Sequence, residues 1–345
     1  MGVKCLVITF GEILLRLNNQ GHNRLFQNKD LNATFCGSEA NVSVALSNLD
    51  LESYFVSKVP DNDVGIAALR TLNYFGVNTT HSLYGGERLG IYFLEKGASQ
   101  RPSKVIYDRK NSSIAQAADQ EFDWESIFQG QQWFHFSGIN PALSDTMKKI
   151  TLQAVKQAKH QGLKVSCDLN YRGKLWTKEQ ANKAMVQLMP YVDVLLSNEK
   201  DIEDVLGIKA KDATVETGTF DKRQYSAVAQ KVKDAYDLDY IGISLRKSVS
   251  ASHNKWSGLL YSAEANQAYY SNEYAIDIVD RVGSGDSFAA GIIYSLINNY
   301  SPSYAVEFAA AASCLKHTIE GDFNRIDKDE VVNLMQGDAT GRVKR

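Results

Sequence analysis

Short apolar runs alternate with longer amphipathic stretches along most of the chain. The apolar runs of strand length are residues 4–10, 54–59, 133–137, 164–168, 192–197 and 240–244. The stretches with apolar positions at helical spacing are residues 38–49, 64–75 and 146–161. Strands that are apolar on both faces and alternate with helices are typical of a parallel sheet covered on both sides. We therefore expect an α/β fold with a doubly wound, mostly parallel sheet and helices on both faces.

Two stretches depart from this rhythm. Residues 14–35 are polar, contain glycine and alternate, and residues 88–107 alternate apolar and polar positions with period two. Such alternation is typical of strands with one face in water. We expect a small antiparallel sheet that stands off the main domain, although ordinary surface hairpins fit the pattern equally well. The expected divisions are a core of residues 1–13, 36–87 and 110–336, a small sheet of residues 14–35 and 88–109, and a flexible tail of residues 337–345.

Charge favours a small-molecule partner. The 345 residues carry a net charge of −2 and have an isoelectric point near 6.3. This balance provides neither a basic surface for nucleic acid nor a polybasic membrane anchor. One uncharged run, residues 287–306, is interrupted by Asn298, Asn299 and Pro302. We therefore expect two soluble helices there rather than a membrane span.

The cysteines predict a reducing compartment. Cys5, Cys36, Cys167 and Cys314 lie far apart in mostly apolar surroundings. A chain of this size from an oxidising compartment usually shows a paired cysteine framework. We therefore expect buried, reduced thiols in a cytoplasmic protein.

The strongest local signal is residues 280–291, which read DRVGSGDSFAAG. An apolar β run leads into Gly283, Ser284 and Gly285, and we expect a helix from about Asp286. Small residues let the backbone turn tightly, so that several N–H groups point outward together at the positive end of a helix. Such an arrangement predicts an anion site that suits a phosphate group.

Asp286 has two interpretations. A carboxylate at the start of a helix is most simply a cap. Beside a phosphate site it would repel the ligand unless it had a chemical role, such as accepting the proton of a hydroxyl that attacks the phosphate. The sequence contains no G-x-x-x-x-G-K-[ST] motif and no G-x-G-x-x-G after its first strand, which argues against a P-loop enzyme and a dinucleotide-binding protein.

The strand–GSGD–helix element resembles the second signature of the ribokinase-like (PfkB-type) sugar kinases. Residues 36–45, CGSEANVSVA, resemble their first signature, a glycine turn followed by a helix whose early Asn reaches the sugar. The resemblance covers roughly residues 4–335. It implies ATP and Mg²⁺ as cofactors, Asp286 as catalytic base, an anion hole from the N–H groups of residues 283–286, and a small β lid over the sugar pocket.

Finer features resemble the 2-keto-3-deoxygluconate kinases. Residues 167–176, CDLNYRGKLW, are similar to their D-x-N-x-R-x-x-L-W segment, and GIYF and VIYDR at residues 90–93 and 105–109 are similar to their lid strands. The resemblance implies these substrate-binding residues: Gly37, Asn41, Tyr92, Tyr107, Arg109, Asn170 and Arg172. A sugar acid requires fixed guanidinium groups that fork onto its carboxylate. Alternatively, Arg109 is a solvated charge at the lid edge, and Arg172 contacts phosphate or forms a structural ion pair.

The resemblance also implies the cofactor sites. The implied nucleotide-binding residues are Asn198, Ser244, Gly283, Gly285, Lys316 and Asn324. The glycine-rich turn that the family usually has after the late strand reads SLRKS here, at residues 244–248. Either Arg246 holds nucleotide phosphate by charge, or this loop takes a different course. Residues 197–201, SNEKD, resemble an element used near Mg²⁺, so that Glu199 or Asp201 would hold Mg²⁺ through water. Asp280 would help to frame a site for a monovalent cation such as K⁺, as in some relatives, or would cap the end of its strand.

The sequence thus predicts a kinase that converts 2-keto-3-deoxygluconate to its 6-phosphate. Two alternatives stay open: a neutral-sugar kinase of the fructokinase or ribokinase type, and a sugar-acid sensor that has lost turnover. The resemblance also implies a homodimer through the lid, since lids of this family often pair between subunits and an exposed sheet edge pairs readily with other chains.

Overall fold

The predicted apolar runs lie side by side in the central sheet of the computed structural model, which describes residues 6–209 and 222–337. The strands are β1 (Leu6–Phe10), β2 (Leu14–Asn18), β3 (Asn32–Cys36), β4 (Glu52–Val56), β5 (Lys58–Val59), β6 (Leu83–Tyr84), β7 (Gly90–Glu95), β8 (Lys104–Asp108), β9 (Trp133–Ser137), β10 (Lys164–Asp168), β11 (Val194–Asn198), β12 (Tyr240–Ser248), β13 (His253–Ser262), β14 (Gln267–Tyr270) and β15 (Tyr274–Asp277). The helices are α1 (Ser38–Asn48), α2 (Asp63–Tyr74), α3 (Trp124–Ile127), α4 (Ile139–Leu143), α5 (Asp145–His160), α6 (Lys178–Leu188), α7 (Glu199–Asp201), α8 (Lys222–Ala235), α9 (Ser284–Ile297), α10 (Pro302–Lys316) and α11 (Lys328–Met335).

The central sheet has the strand order β14-β13-β12-β11-β10-β9-β1-β4, with β15 also paired to β13. All pairs from β4 to β12 are parallel, and β13 runs antiparallel to its neighbours. The predicted run 240–244 extends to Ser248 because β13 pairs with it along its whole length, ending at Ser248 opposite Asn254. The expected α/β fold with a mostly parallel sheet is confirmed.

Apolar side chains cover both faces of this sheet. On one face Phe134 and Phe136 of β9 pack with Met147 of α5 and Met185 of α6. On the other face the apolar residues of α1, α9 and α10 pack together, with Phe288 at the centre. Strands buried on both sides are hydrophobic throughout, which explains why their positions were predictable. Among the described residues, no helix is long and apolar enough to cross a membrane.

A second sheet, the small sheet, contains β2, β3, β7 and β8 in the order β3-β2-β7-β8. Its outer pairs are antiparallel, but β2 and β7 run parallel, with Leu14 opposite Gly90. The expectation of an antiparallel sheet is therefore wrong for the central pair. The reason is topological: β2 and β7 belong to separate excursions that leave the core in the same direction. The predicted tail, residues 337–345, lies beyond the described residues except for Gly337.

Candidate active site

A cleft of about 660 Å³ lies between the small sheet and the carboxyl ends of the parallel strands. Its volume suits a small-molecule ligand, and crevices at this edge of an open α/β sheet are where ligands bind. The cleft brings together most of the residues predicted from the sequence. These are Gly37, Asn41, Tyr92, Tyr107, Arg109, Asn170, Arg172, Asn198, Glu199, Asp201, Ser244, Arg246, Gly283, Ser284, Gly285 and Asp286.

The predicted anion loop, residues 283–286, forms the start of α9. The helix begins at Ser284, two residues earlier than expected, and Gly283 precedes it with a φ of +82°. A Cβ on Gly283 would lie 2.1 Å from the carbonyl oxygen of Asp322, so the loop packs directly against that backbone. The first N–H groups of a helix have no partner within it. The positive end of α9 thus faces the cleft and can bind an anion.

The Asp286 carboxylate is held by the first turn of α1. Ser38 Oγ donates to Asp286 Oδ1 at 2.7 Å, and Asn41 Nδ2 donates to Asp286 Oδ2 at 2.6 Å. The Asn170 side chain donates in turn to Ser38 Oγ at 2.8 Å. No side chain caps α9, so Asp286 is not the cap that one interpretation expected. Burial raises the pKa of Asp286 to about 6 against the opposing effect of these hydrogen bonds.

Further carboxylates crowd the same side of the cleft. Burial, together with the nearby charges of Asp286 and Asp201, raises the pKa of Asp168 well above its usual value. Burial also raises the pKa of Asp201, whose carboxylate accepts the Tyr171 N–H at 3.1 Å. The Arg172 guanidinium opposes these shifts. Its Nη1 donates to the Tyr171 carbonyl at 3.1 Å, and no carboxylate lies within ion-pair distance of it in the described part of the chain.

Arg109, in contrast, is already paired. Its Nε donates to Glu12 Oε2 at 2.8 Å, its Nη2 contacts the same oxygen, and both side chains are buried. The guanidinium also lies over the Tyr107 ring, 5.4 Å from its centroid. A substrate carboxylate would have to compete with Glu12 for this group. Arg109 is therefore not the solvated lid-edge charge of the alternative reading, and its role toward substrate stays a prediction.

Positive charge gathers at the other end of the cleft. Arg246 and Arg281 both line it, and burial followed by the Arg246 charge lowers the pKa of Arg281. Arg281 Nη2 donates to the Ala251 carbonyl at 3.0 Å, which fixes the side chain. Two guanidinium groups that line the same end of a cleft favour a polyanion such as a triphosphate.

Lys316, Asn324 and Asp280 are buried and are not among the residues that line the cleft, and their expected roles stay predictions. Lys316 is fully buried and donates to the Ile319 carbonyl at 3.2 Å. Asn324 Nδ2 donates to Ser287 Oγ at 2.6 Å. Asp280 is buried against an arginine of the small sheet.

Comparison with known proteins identifies the family. The profile of the pfkB family carbohydrate kinases matches residues 5–328. The chain belongs to the pfkB family of carbohydrate kinases. It is therefore a phosphotransferase with an alcohol group as acceptor, and the family and enzyme class expected from the sequence are confirmed.

Similar proteins of this family cover nearly the whole chain. The solved structure of 2-dehydro-3-deoxygluconokinase from Thermotoga maritima is 48% identical, covers 96% of this chain and 100% of that chain, and has a TM-score of 0.93. The 2-dehydro-3-deoxygalactonokinase of Haloferax volcanii is 30% identical over 97% of this chain and 98% of its own length. The 2-dehydro-3-deoxygluconokinase of Bacillus subtilis is 23% identical over 99% of each chain.

Several cleft residues of this pfkB-family kinase escaped the sequence analysis. Ser38, Glu12, Asp168, Arg281 and Asp322 all line the cleft. Ser38 stands inside the first signature and Asp168 inside the D-x-N-x-R segment, so the motifs could have identified both. Glu12 follows the first parallel strand, where functional side chains are common. No local pattern marks Asp322.

Glu39 is a buried carboxyl at the floor of the kinase cleft, and it makes stability depend on pH. Burial raises its pKa from 4.5 to about 7. A Cβ on Gly11 would lie 1.9 Å from Glu39 Oε2, so the carboxyl packs on bare backbone. Between pH 4.5 and 7 the folded state keeps a proton that the unfolded state has released, so stability falls as pH rises through this window.

We therefore expect Glu39→Gln to become more stable than the wild type as pH rises from 5 to 8. The expected gain in the free energy of unfolding at pH 8 is on the order of 3 kcal/mol. It equals the cost of ionising Glu39 in the folded state, where its pKa is raised by about 2.5, and the neutral Gln side chain avoids this cost. Urea unfolding at both pH values measures it. Glu264→Gln, at an exposed glutamate, is the control and should show no such trend. A Glu39→Gln gain that is equal at pH 5 and pH 8 would contradict the titration.

Proposed function

We propose that this pfkB-family kinase transfers the γ-phosphoryl group of ATP to the terminal hydroxyl of 2-keto-3-deoxygluconate and forms the 6-phosphate. The relatives named 2-dehydro-3-deoxygluconokinase and 2-dehydro-3-deoxygalactonokinase support a keto sugar acid as substrate. The observation that carries the proposal is the Asp286 carboxylate, which Ser38 and Asn41 hold beside the N-terminus of α9. A proton acceptor next to an anion site is what phosphoryl transfer to a hydroxyl requires.

Asp286 is the general base in this proposal. Its carboxylate takes the proton of the sugar hydroxyl while the hydroxyl oxygen bonds to the γ-phosphorus and the bond from phosphorus to ADP breaks. The N–H groups of Gly283, Ser284 and Gly285 stabilise the negative charge on the transferred group. Both hydrogen bonds to α1 keep the carboxylate in one orientation, which reduces the entropy lost on reaching the transition state.

The nucleotide phosphates are assigned to the positive end of the cleft. Arg246 and Arg281 supply charge there, and Asn198 and Ser244 line the neighbouring strand ends. Asn198 also accepts the Asp201 N–H at 2.9 Å, which orders the turn that carries Asp201. Guanidinium groups bind phosphate oxygens in forked pairs. ATP thus extends from β11 and β12 toward the anion loop.

Mg²⁺ fits the acidic side of the cleft. Glu199 and Asp201 line it as oxygen donors. Burial is the main cause of the raised pKa of Asp168, and the nearby charges of Asp286 and Asp201 add to it. Mg²⁺ is commonly held by one or two carboxylates, by waters and by substrate phosphates rather than by a full set of protein ligands. When bound, the ion neutralises charge on the phosphates. Glu199 and Asp201 would hold it through water.

The sugar acid is assigned to the side of the cleft nearer the small sheet. Gly37, Asn41, Asn170, Tyr92 and Tyr107 line this part. Arg172 supplies the guanidinium for the carboxylate, because Arg109 is already bonded to Glu12, whereas the hydrogen bond that Arg172 makes to the described residues goes to the Tyr171 carbonyl. Arg109 then acts indirectly. Its guanidinium lies over the ring of Tyr107, and its charge is paired with that of Glu12.

The test of the substrate is ADP release over a panel of keto sugar acids and neutral sugars, with Arg172→Met as the decisive variant. Removing a charge-assisted pair worth about 1.5–3 kcal/mol should lower kcat/KM for the acid roughly ten- to more than hundred-fold. Weak activity on fructose or ribose should change far less, since those sugars carry no carboxylate. Arg88→Met, at an arginine just before β7 that pairs with Asp108 at the surface, is the matched control.

Equal losses on acid and neutral sugars would instead mean that Arg172 contacts phosphate. The Glu12–Arg109 ion pair favours the alternative of a neutral-sugar kinase, because it neutralises a guanidinium that would otherwise bind a substrate carboxylate. Higher kcat/KM on fructose or ribose than on any keto acid would establish it. ADP release no faster than that of Asp286→Asn on every sugar would establish the non-catalytic sensor.

The small sheet is proposed to close over the sugar as a lid and to form the contact of a homodimer. Its exposed apolar side chains include Phe26 and Ile106, 69% and 41% exposed in one chain. Exposed apolar surface next to unpaired strand edges favours association with a second copy. Sedimentation equilibrium tests the dimer.

The described cysteines, Cys36, Cys167 and Cys314, are free and buried, which supports a reducing, cytoplasmic compartment.

A further inference from the structure

Arg16, on β2 of the small sheet, is completely buried behind the anion loop. Its Nη2 donates to Asp280 Oδ2 at 2.6 Å, its Nη1 pairs with Asp322, and its Nε donates to Asn18 Oδ1 at 3.0 Å. Arginine is rarely buried unless every charge is matched. The two carboxylates supply that match, so Arg16 is a fixed positive charge in the interior.

Both oxygens of the Asp280 carboxylate already accept hydrogen bonds from the chain. Its Oδ1 accepts the Val282 N–H at 3.2 Å, and its Oδ2 accepts both Arg16 and the Gly321 N–H, the latter at 3.2 Å. Lys316 is a second buried cation nearby, and Asp280 and Asp322 oppose the lowering of its pKa by burial. The negative charges of Asp280 and Asp322 balance the positive charges of Arg16 and Lys316. The residues therefore do not fit the monovalent cation that the family resemblance implied at Asp280.

Both aspartates that Arg16 holds lie against the anion loop or the residue before it. Asp280 accepts the N–H of Val282, the residue just before Gly283. The Asp322 backbone carbonyl packs against Gly283, where it leaves no room for a side chain. Tyr92, on the next strand of the small sheet, donates its hydroxyl to Asp322 Oδ2 at 2.7 Å. Arg16 thus links the sugar side of the cleft to the loop that binds the transferred phosphate.

We infer that Arg16 replaces a monovalent cation: its guanidinium fixes the anion loop through Asp280 and Asp322, and phosphoryl transfer proceeds without K⁺ or Na⁺. The inference rests on the proposed kinase function. Arg16 contacts no reacting atom, so it is a positioning residue. Its effect should fall on kcat rather than on the KM for the sugar.

The first experiment needs no variant. Wild-type ADP release is measured in potassium, sodium and tetramethylammonium chloride at equal ionic strength, and melting temperature is measured in the same salts. Rates in the three salts should agree within about two-fold, and the melting temperatures should coincide. A cation that bound the folded state would stabilise it and raise its melting temperature. Several-fold activation by K⁺, or a rise in melting temperature specific to K⁺, would overturn the inference.

The second experiment uses Arg16→Ala. We expect kcat to fall roughly 10²-fold, as for a displaced catalytic loop, with little change in the KM for the sugar. Added guanidinium chloride at millimolar concentration should restore much of the rate, because the ion fits the space that the side chain leaves. Arg88→Ala, at the partly exposed arginine just before β7, should neither lose activity nor respond to guanidinium. Arg16→Lys should be intermediate, since a point charge cannot bridge two carboxylates as a planar fork does.

The outcomes separate this inference from the proposed function. A folded Arg16→Ala with wild-type kcat, or one that guanidinium and K⁺ do not rescue, would overturn the role of Arg16. If the Ala variant does not fold, the wild-type salt series and Arg16→Lys decide. If the wild type phosphorylates no sugar, the proposed function fails, while the melting temperatures in different salts still test the cation site.

Discussion

Replacing Asp286 by Asn should lower kcat by roughly 10²–10⁴-fold, the usual contribution of a general base. The amide keeps the shape of the carboxylate, and Ser38 and Asn41 stay beside it, but it cannot accept the proton of the sugar hydroxyl. The affinities for the sugar acid and for ATP should remain within a few-fold of the wild type. Steady-state ADP release and calorimetric binding measure the two effects separately.

The pH profile is the control for this variant. Asp286 accepts a proton only when ionised, and its pKa is about 6. Wild-type kcat/KM should therefore fall as pH drops through 6, and the residual activity of Asp286→Asn should lack this acid limb. Near wild-type turnover by the Asn variant would mean that another group takes the proton.

Gly283→Ala should strongly destabilise the folded protein. The position needs a positive φ, and an added Cβ would lie 2.1 Å from the Asp322 carbonyl oxygen. Left-handed backbone at a non-glycine residue costs of order 1–3 kcal/mol, and the clash adds to it. We expect a loss of about 3 kcal/mol or more in the free energy of unfolding, measured by urea denaturation. Turnover should fall as well, because the anion loop must move.

Gly285→Ala provides the matched comparison for stability. A Cβ there meets no atom within 4 Å, and the residue lies in the first turn of α9 with helical backbone. Alanine favours a helix over glycine by roughly 0.5–1 kcal/mol, so this variant should be at least as stable as the wild type. Equal destabilisation by the two substitutions would contradict the packing of Gly283 against Asp322.

The central sheet was predictable because strands buried on both faces consist of continuous apolar runs. Strands β9 and β10 begin and end where the apolar runs do. The anion loop was predictable for a similar reason, since Gly283 is needed locally to turn the chain into α9. Both signals lie within about ten residues, the range over which side-chain patterns reflect backbone geometry.

Contacts between distant segments were not predictable from such patterns. Arg16 meets Asp280 across 264 positions, and Glu12 meets Arg109 across 97. In a strand of alternating residues, a buried arginine looks like any solvated charge. The partner of Asp280 and the pairing of Arg109 depend on tertiary packing, which local sequence patterns do not record.

The parallel pairing of β2 with β7 has a consequence for how the protein folds. No hairpin can form that pair: Leu14 and Gly90 are 76 positions apart, and the intervening chain contributes β4 and two helices to the core. The loop between them must close before the pair gains any stabilisation, and such non-local contacts form slowly. We expect β1 and β4 to pair within the core first. The small sheet then assembles against the folded core. The sugar side of the cleft would then be the last part of the enzyme to form and the first to open.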